Sequence, residues 1–265
     1  MELKVFRWLA TAFTVYSKVP MPRIRWDEDD MSYSLAFFPL IGVLMGVLVF
    51  VINTGILSIT LPVAVRIIVT LIIPLLITGG IHLDGLMDTE DALNSYADKE
   101  RKLEILKDPH IGAFAVISLM KWMLIFAASV TAILLNSVTS ERTIAIFGLI
   151  FVVARGLSGI AAMVFNKAKP DGMLYEETKN RKKVPMVLLW IQLVIAAAAM
   201  IYMDPLCGAA VLSGAAMTTL YYRSKAYKEF GGVTGDTAGY FLTVSEVVMT
   251  LVLSLCLYAF QGAMP

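Results

Sequence analysis

Three aspartates, Asp84, Asp88 and Asp91, follow the apolar run 63–78 at spacings of four and three residues. On an α-helix, positions i, i+4 and i+7 lie within an arc of about 60°. Like charges on one face repel one another unless water or a cation separates them, and carboxylate oxygens are ligands that Mg²⁺ or Mn²⁺ prefers. The spacing therefore predicts a divalent-cation site on one helix face at the end of an apolar segment.

Glycines and a histidine surround these acids. Gly79, Gly80 and Gly85 bracket Asp84 and predict a backbone that comes close to another part of the chain. His82 stands two residues before Asp84, where a neutral imidazole could orient a carboxylate or accept a proton from an attacking hydroxyl. The alternative is a histidine that lies at the level of the lipid headgroups.

The composition indicates how these residues must be positioned. Of the 265 residues, 58% are hydrophobic and 16% are charged, and the mean hydropathy is +0.75. A soluble domain of this length is far more polar. We therefore expect an all-α, polytopic membrane bundle, a single domain over residues 1–265, with about seven transmembrane helices after an N-terminal amphipathic helix. The predicted spans are 34–59, 63–78, 111–135, 143–165, 184–203, 206–222 and 240–260.

The basic residues predict the orientation of the bundle. They are concentrated before the first span and in the loops 82–110, 166–183 and 223–239. The N-terminal group is Lys4, Arg7, Lys18, Arg23 and Arg25, and the loop 166–183 includes Arg181. By the positive-inside rule these segments are cytoplasmic. We therefore expect a multi-pass protein of the cell (inner) membrane whose active site, carried by these three loops, faces the cytoplasm.

Other polar residues in or beside the spans are further candidates. Arg155 and Glu246 lie within predicted spans, where a charge is costly, so each should face a polar cavity or an opposite charge. Glu246 would pair with Arg155 or Lys121, and Arg155 would contact a phosphate or a carboxylate. Lys169 is placed to contact a polyanion. Asp108 precedes the third span, either as a helix N-cap or as part of the site.

A glycine-rich turn precedes the last predicted span. Gly232, Thr234 and Gly235 fall within it, and backbone amides in such a turn can bind phosphate oxygens. Asp236 in the same turn could bind a metal ion or a ribose hydroxyl. The turn alone is a weak signal.

Taken in order, these segments resemble the cobalamin synthase (adenosylcobinamide-GDP ribazoletransferase) family along nearly the whole chain. The resemblance is carried by residues 36–42, 79–91, 108 with 111–113, 155, 169–172, and 232–239 followed by 245–246, and the string GGIHLDGLMDTED at 79–91 is the most specific. It implies a Mg²⁺-dependent phosphotransfer. A ribose hydroxyl of α-ribazole or its 5′-phosphate attacks the cobinamide-side phosphorus of adenosylcobinamide-GDP, GMP leaves, and adenosylcobalamin or its 5′-phosphate forms.

The residues and the resemblance together assign roles. The predicted metal ligands are Asp84, Asp88, Asp91 and Asp236; the predicted catalytic residues are His82, Asp84 and Asp88; and the predicted substrate-binding residues are Arg155, Lys169, Asp108, Gly232, Thr234, Gly235 and Glu246. The general base stays open between His82 and one of the acids.

Two other classes of protein fit parts of the pattern. One is another aspartate- and Mg²⁺-dependent membrane transferase, of the CDP-alcohol phosphotransferase or prenyltransferase type. The other is a secondary transporter, which would explain charges inside the spans.

Beyond the two substrates and the bilayer, the expected partners are a second copy of the chain and other cobamide-assembly enzymes, with no role for nucleic acid.

Overall fold

The computed structural model describes residues 2–22, 27–179 and 182–261. Within these ranges the chain is helical and contains no β-strand, which confirms the all-α fold. The helices are α1 (Glu2–Tyr16), α2 (Glu28–Ser34), α3 (Phe38–Asn53), α4 (Gly55–Thr60), α5 (Val63–Thr78), α6 (Ile81–Asn94), α7 (Lys99–Ile105), α8 (Ala113–Leu135), α9 (Glu141–Val164), α10 (Met173–Thr178), α11 (Lys183–Met203), α12 (Pro205–Phe230) and α13 (Gly235–Gln261). Arg23, Arg25 and Arg181, which enter the charge-based prediction, lie outside the described residues.

The membrane character of the bundle is confirmed. Within the described ranges five helical stretches are long and apolar enough to cross a bilayer, and the bent pair α5 and α6 makes a sixth if it is one span. The five stretches are Asp30–Asn53, Ala113–Leu135, Glu141–Val164, Lys183–Met203 and Gly235–Ala259. The predicted span 206–222 lies within α12, whose 26 residues extend about 39 Å but are less apolar. A count of seven therefore requires α5 and α12 to cross the bilayer as well.

The first predicted span, 34–59, has the wrong boundaries. Its helical stretch begins at Asp30, and α3 ends at Asn53. Thr54 is extended, and Gly55 then opens the short helix α4 in the left-handed region, with φ of 57°. A hydropathy pattern does not register such a break, because the residues on both sides of it are apolar.

Two helices form the centre of the bundle. Most of α9 and α13 is buried inside the protein, with 83% and 72% of their apolar windows covered. α9 packs against α3, α11 and α13, and α13 packs also against α6, α8 and α12.

The predicted N-terminal helix is present as α1, with Ala12 and Tyr16 buried against the bundle and Val5 and Phe6 exposed.

A sharp bend separates α5 from α6. Gly79 and Gly80 both have left-handed backbone angles, with φ of 65° and 86°, a region in which residues with a side chain are strained. The two helix axes meet at 89°. Because α6 carries four acids, we place it outside the membrane-spanning part of the chain. The bend therefore directs the acidic helix away from the spans and against the start of α13.

Candidate active site

A cleft of about 310 Å³ lies where α6, α10 and the start of α13 meet. It brings together six of the residues predicted from the sequence: His82, Asp84, Lys169, Thr234, Gly235 and Asp236. Four further charged residues also line it: Lys107, Lys167, Asp171 and Glu177. Carboxylates from α6 and α13 thus share one cavity with lysines from two loops.

The acids of α6 and α13 meet because these helices touch at glycines. A Cβ atom on Gly85 would lie 2.7 Å from the carbonyl oxygen of Asp236, and one on Gly239 would lie 3.2 Å from the carbonyl oxygen of His82. Side chains at these positions would therefore separate the helices. The prediction that Gly85 marks a close backbone approach is confirmed, and its partner is Asp236 of the glycine turn.

The carboxylates form a cluster. Burial, followed by the charges of Asp84, Asp236 and Asp91, raises the pKa of Asp88 to about 6. Asp91 points towards the start of α8, where a Cβ on Gly112 would lie 2.0 Å from the Asp91 Oδ1 atom. As predicted, Asp84, Asp88 and Asp91 belong to one helix, but they face different neighbours.

The donor set has the chemistry of a Mg²⁺ site, since its members are hard carboxylate oxygens held close enough to repel. Among the residues that the structure describes, however, no three His, Cys, Asp or Glu side chains are spaced to hold a metal ion. A bound cation would have to draw the carboxylates inwards by side-chain rotation. The assignment of Mg²⁺ to Asp84, Asp88, Asp91 and Asp236 stays a prediction.

The backbone amides of the glycine turn are mostly occupied. The Thr234 amide donates to Thr237 Oγ1 (2.8 Å), and the Thr237 amide donates to Thr234 Oγ1 (3.1 Å), which caps α13. The Gly232 amide donates to the Ala226 carbonyl (3.1 Å). Gly232 and Thr234 therefore cannot offer these amides to a phosphate unless the turn rearranges.

The turn instead fixes the position of the loop that carries Lys167 and Lys169, which we call the lysine loop. The Val233 amide donates to the Asn166 carbonyl (2.9 Å), and the Ala168 amide donates back to the Val233 carbonyl (3.0 Å). A Cβ on Gly232 would lie 2.6 Å from the Ala168 nitrogen, so only glycine permits this pairing. The loop that carries Lys167 and Lys169 is thereby fixed beside Asp236.

The lysines at the cleft are partly engaged with the protein. Lys169 Nζ donates to the Leu103 carbonyl on α7 (2.7 Å). Burial and the nearby charge of Lys107 lower the pKa of Lys169. Lys107 pairs with Asp171 across 3.6 Å, and both are largely exposed. Since ammonium groups held by a carbonyl or an exposed carboxylate can turn towards a stronger anion, Lys169 and Lys107 are the cations best placed to bind phosphate.

Arg155 and Glu246 lie behind the cleft. Arg155 is fully buried, and its Nη1 donates to Glu246 Oε1 (2.6 Å) and to the Phe151 carbonyl (3.0 Å). Of the two partners predicted for Glu246, Arg155 and Lys121, the structure has Arg155. Both line a smaller cavity of about 40 Å³ together with His82, and neither lines the main cleft. The phosphate contact predicted for Arg155 is not what this geometry provides, because the carboxylate of α13 is already its partner.

His82 separates the two cavities and lines both. Its Nε2 atom is buried and has no hydrogen-bond partner among the described residues. Burial and the charge of Arg155 lower the pKa of His82 to about 3. A ring with so low a pKa stays neutral and is a weak proton acceptor, which disfavours His82 as the general base.

Asp108 lies outside the cleft. Its Oδ1 accepts hydrogen bonds from the His110 amide (3.0 Å) and from His110 Nδ1 (2.6 Å), and these bonds lower the pKa of Asp108. The N-cap of α8 is Gly112, so the prediction of Asp108 as that N-cap is wrong. The helix begins too far along the chain for this side chain to reach its first turn.

One buried pair in the cleft was not predicted. The Tyr16 hydroxyl, at the end of α1, donates to Glu177 Oε1 on α10 (2.6 Å), and both side chains line the cleft. Burial raises the pKa of Glu177 to about 7, opposed by this hydrogen bond and by the charge of Lys167. No sequence signal distinguishes Glu177 from its exposed neighbour Glu176, because its burial depends on a contact 161 residues away.

Together, the fold and the cleft define an integral membrane protein with an acid- and lysine-lined site at one end of its helical bundle. The chain belongs to the cobalamin-5-phosphate synthase family, whose model matches residues 8–254. The resemblance stated from the sequence is thereby confirmed.

Curated relatives cover nearly the whole chain. A protein of Lachnoclostridium phytofermentans is 40% identical over 250 residues, which are 92% of this chain and 93% of that protein. A protein of Clostridium botulinum (strain Alaska E43) is 30% identical over 244 residues, which are 92% of this chain and 95% of the relative. One of Listeria monocytogenes (strain HCC23) is 32% identical over 234 residues, which are 88% and 91% of the two chains. Each is named adenosylcobinamide-GDP ribazoletransferase. No solved structure is detectably similar to the chain.

Proposed function

We propose that the protein is an adenosylcobinamide-GDP ribazoletransferase. It joins adenosylcobinamide-GDP to α-ribazole or its 5′-phosphate, forms adenosylcobalamin or its 5′-phosphate, and releases GMP. Family membership and the names of the relatives support this reaction. The structural observation that carries it is the shared cleft, in which Asp84 and Asp236 lie with Lys167 and Lys169.

The charges of the cleft suit an attack on a diphosphate. As an alcohol attacks phosphorus, negative charge grows on the transferring and leaving oxygens, and cationic groups must stabilise it. Lys169 and Lys107 supply ammonium groups from two loops. Asp84, Asp88, Asp91 and Asp236 would hold Mg²⁺, which when bound neutralises phosphate charge and orients the diphosphate.

We also propose that the cleft faces the cytoplasm across the cell membrane. The segments at the cleft end of the bundle include Lys107, which follows α7, and the lysine loop, which lie in the stretches 82–110 and 166–183 where lysines and arginines are concentrated. The positive-inside rule places such segments in the cytoplasm, where nucleotides are available. Association with a second copy, or with other cobamide-assembly enzymes, stays a prediction from the resemblance.

The alternative functions lose their main support. Of the charges within the spans that suggested a transporter, Arg155 and Glu246 pair with each other, and Lys121 pairs with Glu90 across 3.3 Å. The family match favours neither a CDP-alcohol phosphotransferase nor a prenyltransferase.

A direct assay tests the proposal. The protein purified in detergent should release GMP when given adenosylcobinamide-GDP, α-ribazole 5′-phosphate and Mg²⁺, and EDTA should stop the release until Mg²⁺ is restored. Asp84→Asn and Asp236→Asn should each lower the rate by roughly 10²- to 10³-fold, the range for losing one charge-stabilising group. Asp98→Asn is the matched control, since Asp98 is an exposed N-cap on α7 and Asn caps equally well. No GMP from the folded wild-type protein would refute the proposal.

A further inference from the structure

We propose that Glu177 is the catalytic base that accepts the proton of the attacking ribose hydroxyl, and that Tyr16 is a positioning residue that holds its carboxylate. This inference rests on the proposed function and assigns the role that the sequence left open.

The geometry of the pair supports this role. Glu177 is 3% exposed and Tyr16 is 6% exposed, yet both line the cleft. The Tyr16 hydroxyl fixes Oε1 of the carboxyl group at 2.6 Å, and its ring packs on Phe38, with the ring centres 4.5 Å apart. A carboxyl group removed from bulk water is costly, so a carboxylate held rigidly in a cleft wall is typical of a functional group.

The other candidate bases are less suitable. His82 lies between the two cavities, where Arg155 lines the smaller one with it, and its Nε2 atom is buried. Asp84, Asp88 and Asp236 belong to the acid cluster, whose lone pairs a cation would engage. Glu177 lies on a different element, α10, and is not among the acids that act on Asp88. It is therefore an acid of the cleft that the predicted metal would leave available.

The surroundings of Glu177 also tune it for proton transfer. Two groups from other elements face it: the Tyr16 hydroxyl from α1 and the Lys167 ammonium from the loop after α9. Burial raises the pKa of the carboxyl group to about 7, while these two groups oppose the rise. A general base works best when its pKa is near the operating pH.

The step can be written with its full balance. The ribose hydroxyl oxygen forms a bond to the cobinamide-side phosphorus while its proton moves to the Glu177 carboxylate. The bond from this phosphorus to the bridging oxygen breaks, and its electron pair stays on that oxygen, which leaves as part of GMP. The proton on Glu177 then passes to solvent.

The first experiment compares Glu177→Gln with Glu176→Gln in the GMP-release assay. Glu176 is the neighbouring acid of α10, but it is exposed and lies outside the cleft. We expect E177Q to lower kcat by roughly 10²- to 10⁴-fold, the range for loss of a general base, with KM for α-ribazole 5′-phosphate changed less than about threefold. E176Q should match the wild type. Melting temperatures in detergent show whether each variant is folded.

The second experiment uses Tyr16→Phe, which removes the hydrogen bond and keeps the ring. That bond favours the charged carboxylate, so its loss should raise the pKa of Glu177. The wild type should lose kcat as the pH falls through about 7, and this acid limb should move to higher pH in Y16F. A purely structural role for Tyr16 would lower kcat at every pH without moving the limb.

The outcomes separate the two proposals. A wild-type protein that releases no GMP refutes the proposed function. A wild-type protein that releases GMP, with folded E177Q at the wild-type kcat, refutes only the role of Glu177. If E177Q proves unfolded, the Y16F profile decides: an unmoved acid limb refutes the inference.

Discussion

At the scale of single residues, Arg155 and Glu246 form an ion pair inside the membrane, where either charge alone would be energetically costly. Arg155 lies on α9 and Glu246 on α13, the two most buried spans. The guanidinium also stacks near the Phe38 ring, 5.6 Å from its centre. Breaking a buried pair by removing one partner leaves an uncompensated charge, whereas removing both partners is far less harmful.

We therefore expect Glu246→Gln to destabilise the protein by about 3–5 kcal/mol. The double variant Arg155→Met with Glu246→Leu should recover most of this loss. Melting temperatures in detergent and the yield of folded protein measure both effects. A single variant that melts with the wild type would show that the pair does not hold α9 to α13.

Residue-level prediction from the sequence succeeded where the signal is local. Asp84, Asp88 and Asp91 share a helix because their spacing follows the helical period. Because an intramembrane charge needs a partner, the sequence predicts Arg155 or Lys121 for Glu246, and the structure has Arg155. Glu177 could not be found in this way. Its burial is produced by the packing of α10 against α2 and α9 and by the contact with Tyr16, which no pattern near residue 177 encodes.

At the scale of elements, the contact between α6 and α13 sets the geometry of the cleft. We expect Gly85→Ala to lower the rate of GMP release by more than tenfold, since its Cβ would lie 2.7 Å from the Asp236 carbonyl oxygen and push the helices apart. Displacements of about 1 Å at a reacting centre can cost roughly 10²-fold in rate.

Gly156→Ala is the matched control for this substitution. It is also a helical glycine, but its Cβ would make only ordinary contacts, 3.7 Å from Leu193. Its rate and melting temperature should stay close to those of the wild type. Equal activity in both variants would mean that the cleft tolerates separation of α6 from α13.

Apolar runs and glycines in the sequence predict the positions of several helices and one contact between helices, but not the hydrogen bonds of the glycine turn. Apolar runs located α5, α8, α9, α11 and α13, because burial in lipid demands length and hydropathy. Gly85 was correctly identified as a contact. The glycine turn was predicted to donate its amides to phosphate, but several of them are used by Thr237 and Ala226. Which partner an amide selects depends on the folded chain.

At the scale of the whole molecule, the orientation in the membrane can be tested by labelling. In a variant with Cys207 and Cys256 replaced by Ala, an impermeant maleimide applied to intact cells should label Thr60→Cys. It should not label Lys99→Cys until the cells are opened. Both positions are exposed, and they lie on opposite sides in the predicted topology. Labelling of Lys99→Cys in intact cells would place the cleft outside.

The overall architecture was largely predictable, and the exact number of spans was not. Composition alone requires a membrane bundle. The bend at Gly79 and the moderate hydropathy of α12 leave the count within the described part of the chain between five and seven, because counting spans from hydropathy assumes straight and uniformly apolar helices.

The two left-handed glycines between α5 and α6 also set the rotational phase of the acidic helix. The Gly79 amide donates a hydrogen bond to the Leu75 carbonyl at the end of α5. The Asp84 amide donates one to the Gly80 carbonyl at the start of α6. One residue inserted after Gly80 would turn α6 by about 100° relative to α5. Asp84 would then rotate away from α13, although every side chain of the site would still be encoded. The junction therefore works as a spacer of fixed length, which tolerates substitution at its flanks far better than a change in the number of its residues.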